Sequence, residues 1–229
     1  MKRLCLIFIL LNTVMSLHSQ TLSKTEVKYD YLVYLPKDYQ EKEYPVIIYL
    51  HGSSHRGNDL NKLKQYGLPR AIDKGQEFEF IVISPQCPDG KLWSTESWFE
   101  PLYEELTDKY RIDTNRIYLT GVSMGGGGVF DVAKDHPDKF AALVPLCAWA
   151  SGTERICNLN NIPIWTFHGT EDHVVPISQT VSKVNALKAC NGDIQFTILE
   201  NQGHGIQWLY ENQETYDIYK WMLKHKKQH

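Results

Sequence analysis

The amino-acid sequence predicts an α/β fold with a mostly parallel, doubly wound sheet and helices on both of its faces. Apolar runs of strand length alternate along the chain with segments of helical period. Several of these runs are almost continuously apolar, as expected of parallel strands that are covered on both sides. Strands that are joined through helices wind with right-handed crossovers, which places helices on both faces. No large lid domain is predicted.

Seven segments are predicted as strands. The first two, YDYLVYLP and YPVIIYLHG, are separated by a polar turn, and they predict an antiparallel hairpin at the N-terminal end of the sheet. The others follow at wide spacing and predict the parallel part of the sheet: FEFIVISPQ, RIYLTGV, ALVPLCAWA, IPIWTFHG and IQFTILE.

Three segments between these strands are predicted as helices. In SWFEPLYEELTDKY the apolar residues fall on one stripe at the helical period. VSKVNALKACNG has an apolar face and ends on Asn191-Gly192, which is a helix stop signal. NQETYDIYKWMLKH carries cations at its C-terminal end, where the helix dipole favours them.

The N-terminus differs in composition from the rest of the chain. Lys2 and Arg3 precede an apolar run from Leu4 to Met15, and small and polar residues follow. This order is typical of a secretory signal, and the run is shorter than the roughly 20 residues of a membrane-spanning helix. We therefore expect a signal peptide at residues 1–19, a single domain at residues 20–229 and no stable membrane insertion after cleavage. A buried first helix is the alternative.

Composition narrows the function classes. A chain of 229 residues with a net charge of −3 gives no reason to expect nucleic acid as a partner. The chain has no N-x-S/T sequon, which favours a bacterial secreted or periplasmic protein over a eukaryotic one. Four cysteines remain after the signal, and they can pair in three ways: Cys87, Cys147, Cys157 and Cys190. They lack the spacing of a metal or redox site, and no metal or cofactor is predicted.

The segment TGVSMGGGG carries the strongest signal for function. Gly121, Ser123 and Gly125 form G-x-S-x-G between a predicted strand and a predicted helix. A sharp turn from strand to helix holds such a serine in a strained conformation and lifts its hydroxyl clear of the sheet. Three further glycines follow, each of which costs a helix about 1 kcal/mol. We expect close backbone approach to require them.

A serine nucleophile needs a base and an acid, and both are found downstream. Asp172 follows the strand IPIWTFHG, and His204 lies between glycines after the strand IQFTILE. Serine, acid and histidine thus occur in the order of one known arrangement of a catalytic triad. Glu171 is the alternative acid, because neighbouring loop residues point different ways.

Two other histidines are weaker candidates. His168 and His173 lie so close to Asp172 in sequence that they are poorly placed to bridge it to Ser123. A metal site built from His168, Asp172 and His173 is a separate hypothesis, but it lacks recognisable zinc spacing.

The oxyanion that forms during acyl transfer needs two donors, typically backbone amides. Met124, which follows the nucleophile, offers one. The loop that begins His51-Gly52-Ser53 after the second strand offers the amide of Ser53, and Gly52 keeps its backbone accessible. His51 is expected to be a positioning residue.

The segments YLHGSSHRGND, SPQCPDGKLW, GVSMGG, HGTEDHVVP and GHG resemble the α/β-hydrolases of the phospholipase/carboxylesterase and dienelactone-hydrolase type. The likeness runs from about Tyr31 to the last helix, and it is greatest to secreted chains grouped with feruloyl and acetyl-xylan esterases and with secreted peptidases. It implies Ser123, Asp172 and His204 as the triad. Related chains often read GERG where this one has SHRG, so His55 replaces an acid.

These observations predict a secreted serine carboxylesterase that acts on small or carbohydrate-linked esters without a cofactor. Arg56, Trp93 and Trp149 are predicted to contact substrate, because aromatic rings suit sugars and phenolic acids. The alternative for each tryptophan is a place in the core. A serine peptidase, a thioesterase or lysophospholipase, and a non-catalytic binding module remain as alternative functions.

Overall fold

The structure is a computed structural model, and it describes residues 26–149 and 151–227. The predicted signal peptide, residues 1–19, lies outside the described residues. Within the described ranges, no helix is long and apolar enough to cross a membrane.

One sheet of seven strands organises the described chain, in the order β1-β3-β2-β4-β5-β6-β7. All neighbouring strands are parallel except β1 and β3, which are antiparallel. The strands are β1 Tyr31–Tyr34, β2 Tyr44–Leu50, β3 Ile81–Pro85, β4 Ile112–Val122, β5 Ala142–Leu146, β6 Ile164–Gly169 and β7 Ile194–Leu199. The predicted mostly parallel sheet is confirmed.

The predicted hairpin is wrong in one respect. Strand β1 is antiparallel, but it pairs with β3, as in Val33 opposite Ile83, and not with β2. Every residue of β2 is buried, whereas β1 is only partly buried. A continuously apolar strand gains most from an interior position, so β2 takes parallel neighbours on both sides and leaves β1 at the edge.

Helices cover both faces of the sheet, as predicted. The described helices are α1 Gly67–Asp73, α2 Phe99–Lys109, α3 Met124–Asp135, α4 Ser178–Ala189 and α5 Ile218–Leu223. Apolar residues of α2, α3 and α4 share one core with Ile48 and Leu50 of β2, and those of α1 and α5 share a second core with Ile47 and Tyr49. Alternate side chains of one strand thus face the two helical layers.

The last helix is shorter than predicted. It begins at Ile218 because the side chain of Asp217 accepts a hydrogen bond from the amide of Lys220 at 2.8 Å and caps the first turn. The residues from 212 to 216, which the predicted helix included, precede this cap.

One disulfide resolves the cysteine pairing that the sequence left open. Cys157 and Cys190 are bonded, and they join a short 3-10 turn, Ile156–Leu159, to the end of α4. Cys87 and Cys147 are buried free thiols. Because the bond closes a loop with a sequence separation of 33 residues, chain entropy predicts a stabilisation of about 3–4 kcal/mol.

Candidate active site

Ser123 lies at the bend between β4 and α3. Its backbone has φ 58° and ψ −117°, a conformation that serine rarely adopts and that costs about 1–3 kcal/mol. The bend is held on both sides by backbone hydrogen bonds. The Ser123 amide donates to the Leu146 carbonyl at 3.0 Å, and the Ser123 carbonyl accepts from the amides of Gly127 at 3.0 Å and Trp149 at 3.1 Å.

The glycines around Ser123 allow the backbone to pass close to neighbouring strands. A Cβ added to Gly121 would lie 2.7 Å from the carbonyl oxygen of Leu50. One added to Gly125 would overlap the same carbonyl, and one added to Gly127 would overlap the carbonyl of Trp149. The expectation that close backbone approach requires this run of glycines is confirmed.

Asp172 is buried in the loop after β6, and its carboxylate is surrounded by donors. Oδ1 accepts from the amides of Val174 at 2.9 Å and Val175 at 2.8 Å, and Oδ2 lies 2.7 Å from Nδ1 of His204. Burial alone would raise the pKa of Asp172, but the hydrogen bonds from His204 and from the two amides hold it below its ordinary value. The carboxylate is therefore the charged partner of His204.

His204 lies in the loop after β7, which packs against the loop after β6. The Glu171 amide donates to the Gln202 carbonyl at 2.9 Å, and the Asn201 amide donates to the hydroxyl of Thr170 at 2.9 Å. These bonds bring His204 to Asp172. Since the ionised Asp172 only accepts, Nδ1 of His204 carries a proton and donates it to this bond. The ring is 25% exposed.

Cys147 is close both to the Ser123 bend and to the pair of Asp172 and His204. It follows Leu146, to which the Ser123 amide is bonded. Its Sγ lies within 4.8 Å of ligand atoms of Asp172 and His204. No hydrogen bond between Ser123 Oγ and His204 is found among the described residues; bonds of this kind commonly tighten only when substrate is bound.

The alternative residues occupy different surroundings. Glu171 and His173 are exposed, whereas Asp172 is buried. His168 is fully buried, and its Nε2 lies 3.2 Å from Oδ2 of Asp172. This geometry favours Asp172 over Glu171 as the acid.

One group of side chains in the described ranges is compact enough to consider as a metal site: Cys147, Asp172 and His204. Asp172 and His204 are already bonded to each other, and burial raises the pKa of the Cys147 thiol, which disfavours the thiolate that a metal needs. The group fits a metal ion poorly.

The loop after β2 is held by its histidine. Nε2 of His51 accepts from the amide of Cys87 at 3.0 Å, so Nδ1 carries the proton and donates to the carbonyl of Gly52 at 2.7 Å. The indole of Trp93 donates to the carbonyl of His51 at 3.1 Å. Burial lowers the pKa of His51 to about 4, which keeps the ring neutral.

This arrangement orients the amide proposed as an oxyanion donor. The Gly52 carbonyl and the Ser53 amide belong to one planar trans peptide and point in opposite directions, so the bond from His51 fixes both. The Gly52 amide donates a hydrogen bond to the hydroxyl of Tyr66 at 3.0 Å. A Cβ added to Gly52 would lie 3.5 Å from the Cβ of Ser123, so the loop passes directly beside the serine.

The second proposed donor, the amide of Met124, is at the first residue of α3. The first amides of a helix have no partner within the helix and favour negative charge.

The predicted substrate contacts differ in exposure. Arg56 donates from Nε to the Ser53 carbonyl and from Nη1 to the Lys91 carbonyl, each at 3.1 Å, so it anchors the loop. Trp93 is 1% exposed and lies beneath the same loop, a position that favours its alternative place in the core. Trp149 is partly buried, and its amide contacts the Ser123 carbonyl.

Two contacts of the site were not predicted from the sequence. One is the hydroxyl of Tyr66 on the Gly52 amide, and the other is the imidazole of His168 beside Asp172. The ring of His55 packs edge-on against the ring of Tyr66, with 4.0 Å between the centroids. For Tyr66 no local pattern in the sequence indicates the contact, since the residue precedes α1 and is distant from Gly52 along the chain.

A serine at a strand-to-helix bend and a histidine–aspartate pair, all at the carboxyl edge of a mostly parallel sheet, form the arrangement of the α/β-hydrolase fold. The family of phospholipases and carboxylesterases matches residues 93–225, more than half of the chain. The chain belongs to this family.

Relatives of known name are similar over much of the chain. Feruloyl esterase D of Neurospora crassa is 30% identical over 191 residues, which cover 72% of this chain and 62% of the relative. The bifunctional acetylxylan esterase/xylanase of Neocallimastix patriciarum is 27% identical over 156 residues, or 66% of this chain and 22% of the relative. The chain thus spans less than two thirds of the length of either relative.

Solved structures agree with the fold. A thermostable esterase superposes with a TM-score of 0.71 at 28% identity, covering 86% of this chain and 59% of that one. A ferulic acid esterase superposes with a TM-score of 0.66 at 20% identity, covering 85% of this chain and 91% of that one, and supports the fold alone.

Proposed function

We propose that the protein is a serine carboxylesterase that hydrolyses small or carbohydrate-linked esters of the feruloyl or acetyl type. The observation that carries the proposal is the 2.7 Å hydrogen bond between Nδ1 of His204 and Asp172, at the same edge of the sheet as the strained Ser123. The bond fixes the tautomer that leaves Nε2 of His204 free to take the serine proton.

The reaction proceeds in two halves. His204 takes the proton of Ser123 as the serine oxygen attacks the ester carbonyl, and the amides of Ser53 and Met124 bind the oxyanion. The tetrahedral intermediate collapses, His204 gives its proton to the leaving alcohol, and an acyl-serine remains. His204 then takes a proton from water, whose oxygen attacks the acyl carbonyl, and returns that proton to Ser123 as the acid leaves.

The substrate class is supported by the relatives. Their names specify feruloyl and acetylxylan esters. Trp149, whose backbone amide donates to the Ser123 carbonyl, is an aromatic residue that is only partly buried. The same triad can cleave amides or thioesters, so a peptidase and a thioesterase or lysophospholipase are the alternative functions.

We also propose that residues 1–19 are a signal peptide and that residues 20–229 form one domain acting outside the cytoplasm, in a bacterium. The disulfide between Cys157 and Cys190 supports this location, because such bonds persist in oxidising compartments. Sequencing the N-terminus of the exported protein tests the cleavage site.

A substrate panel tests the function. The purified mature protein is assayed on methyl ferulate, acetylated xylan, a peptidyl p-nitroanilide, an acyl thioester and a lysophospholipid. We expect turnover of the first two, and a loss of at least about a thousandfold in Ser123→Ala. Turnover of the anilide, the thioester or the lysophospholipid in preference to both esters would replace the proposed substrate class.

A further inference from the structure

Asp172 has a second histidine partner that the proposed mechanism does not use. His168 ends the run of buried side chains in β6, and its ring is fully buried. Its Nε2 lies 2.9 Å from the carbonyl of Val175 and 3.2 Å from Oδ2 of Asp172. Its Nδ1 lies 2.8 Å from the hydroxyl of Thr180, which α4 places behind the ring.

The hydrogen-bond partners of His168 show which of its ring nitrogens carries a proton. The carbonyl of Val175 can only accept, so Nε2 of His168 carries a proton and shares it between Val175 and Asp172. Burial lowers the pKa of His168, so the ring is neutral and Nδ1 is an acceptor. The hydroxyl of Thr180 therefore donates to Nδ1.

We propose that His168 is a positioning residue for Asp172, and that Thr180 fixes His168 in the tautomer that donates toward the carboxylate. The inference rests on the proposed function, in which Asp172 orients His204. Oδ1 of Asp172 is held by two amides and Oδ2 by two imidazoles. A rotation of the carboxylate would break bonds at both oxygens.

Two matched substitutions of His168 test the proposal. In His168→Gln the side-chain amide nitrogen reaches the place of Nε2 and keeps a donor for Asp172, whereas in His168→Asn the shorter amide does not. We expect kcat/KM of the Gln variant to stay within about threefold of wild type. The Asn variant loses about 10- to 100-fold in kcat/KM, mainly in kcat.

Two substitutions of Thr180 form a second matched pair, and they leave the imidazole of His168 unchanged. Thr180→Ser keeps the hydroxyl that donates to His168, and Thr180→Val removes it with almost no change in volume. We expect the Ser variant to match wild type and the Val variant to lose about fivefold in kcat. If a thermal unfolding assay shows that His168→Asn does not fold, the Thr180 variants test the positioning role of His168 instead.

The outcomes separate this proposal from the proposed function. If wild-type Ser123 is not the reactive serine, the proposed function fails. If Ser123 is reactive and Asp172→Asn is impaired, while the Gln and Asn variants of His168 have equal kcat and equal KM, only the role of His168 is overturned. Equal kinetics of the Ser and Val variants of Thr180 would overturn the role of Thr180.

Discussion

Nε2 of His51 accepts a hydrogen bond from the amide of Cys87 at 3.0 Å, which ties the loop after β2 to the loop after β3. The bond requires an unprotonated nitrogen, because a protonated Nε2 is itself a donor and cannot accept from the Cys87 amide. Protonation of His51 thus opposes the fold and disturbs the peptide that presents the Ser53 amide.

We predict that stability falls in acid through His51. Burial lowers the pKa of His51 from 6.5 to about 4 in the folded protein. Between these values the unfolded chain binds more protons than the folded one, so this contribution is fully present above pH 6.5 and declines as pH falls toward 4. The loss is about 3 kcal/mol.

Denaturant unfolding at several pH values measures this dependence. Other buried histidines add to it, so the informative quantity is the difference between wild type and His51→Gln, which we expect to be less steep between pH 4 and 6.5. Equal slopes for the two proteins would assign the acid sensitivity to other groups.

Asp172 and Glu171 are adjacent carboxylates with different surroundings, and their amide variants form a matched pair. Asp172→Asn removes the charge that fixes the proton on Nδ1 of His204, and we expect kcat to fall by about 10³- to 10⁴-fold. Glu171 is exposed, and we expect Glu171→Gln to stay within about threefold of wild type. Steady-state kinetics on p-nitrophenyl acetate measures both, and the reverse order of effects would make Glu171 the acid.

Gly127 lies in α3, where alanine would favour the helix by about 1 kcal/mol. Its added methyl group would overlap the carbonyl of Trp149, which belongs to the backbone and cannot turn aside. We expect Gly127→Ala to lose about 1–3 kcal/mol of unfolding free energy in spite of the helix preference.

Gly203→Ala is the control for this substitution, since its nearest contact is the Glu171 carbonyl at 3.6 Å. Denaturant midpoints of the two variants give the comparison. A Gly127→Ala protein as stable as wild type would mean that the glycine run has no packing role.

Local sequence patterns predicted the candidate site residues because each of them lies in a short segment with a recognisable motif. The bend at Ser123 needs only a strand, small residues and a helix, and the loops of Asp172 and His204 each follow a predicted strand. The carboxyl ends of parallel strands meet at one edge, which explains why residues so far apart along the chain were expected together.

Contacts between distant segments were not predictable in the same way. The partner of β1 depends on which strand is buried on both sides, and an apolar pattern alone did not exclude the hairpin. The bond from the Gly52 amide to Tyr66 depends on how α1 begins, and the contact of His168 with Asp172 depends on the turn of one loop. Sequence spacing argued against His168 as the base, but it did not indicate that the ring contacts Asp172.

Covalent labelling of the mature protein with a fluorophosphonate probe, followed by peptide mass spectrometry, tests the activated serine most directly. We expect a single adduct on Ser123 in the wild type, and labelling at least about a hundredfold slower in Asp172→Asn and in His204→Ala. An adduct on a different serine, or an unchanged labelling rate in both variants, would contradict the assignment of Ser123 as a nucleophile driven by His204 and Asp172.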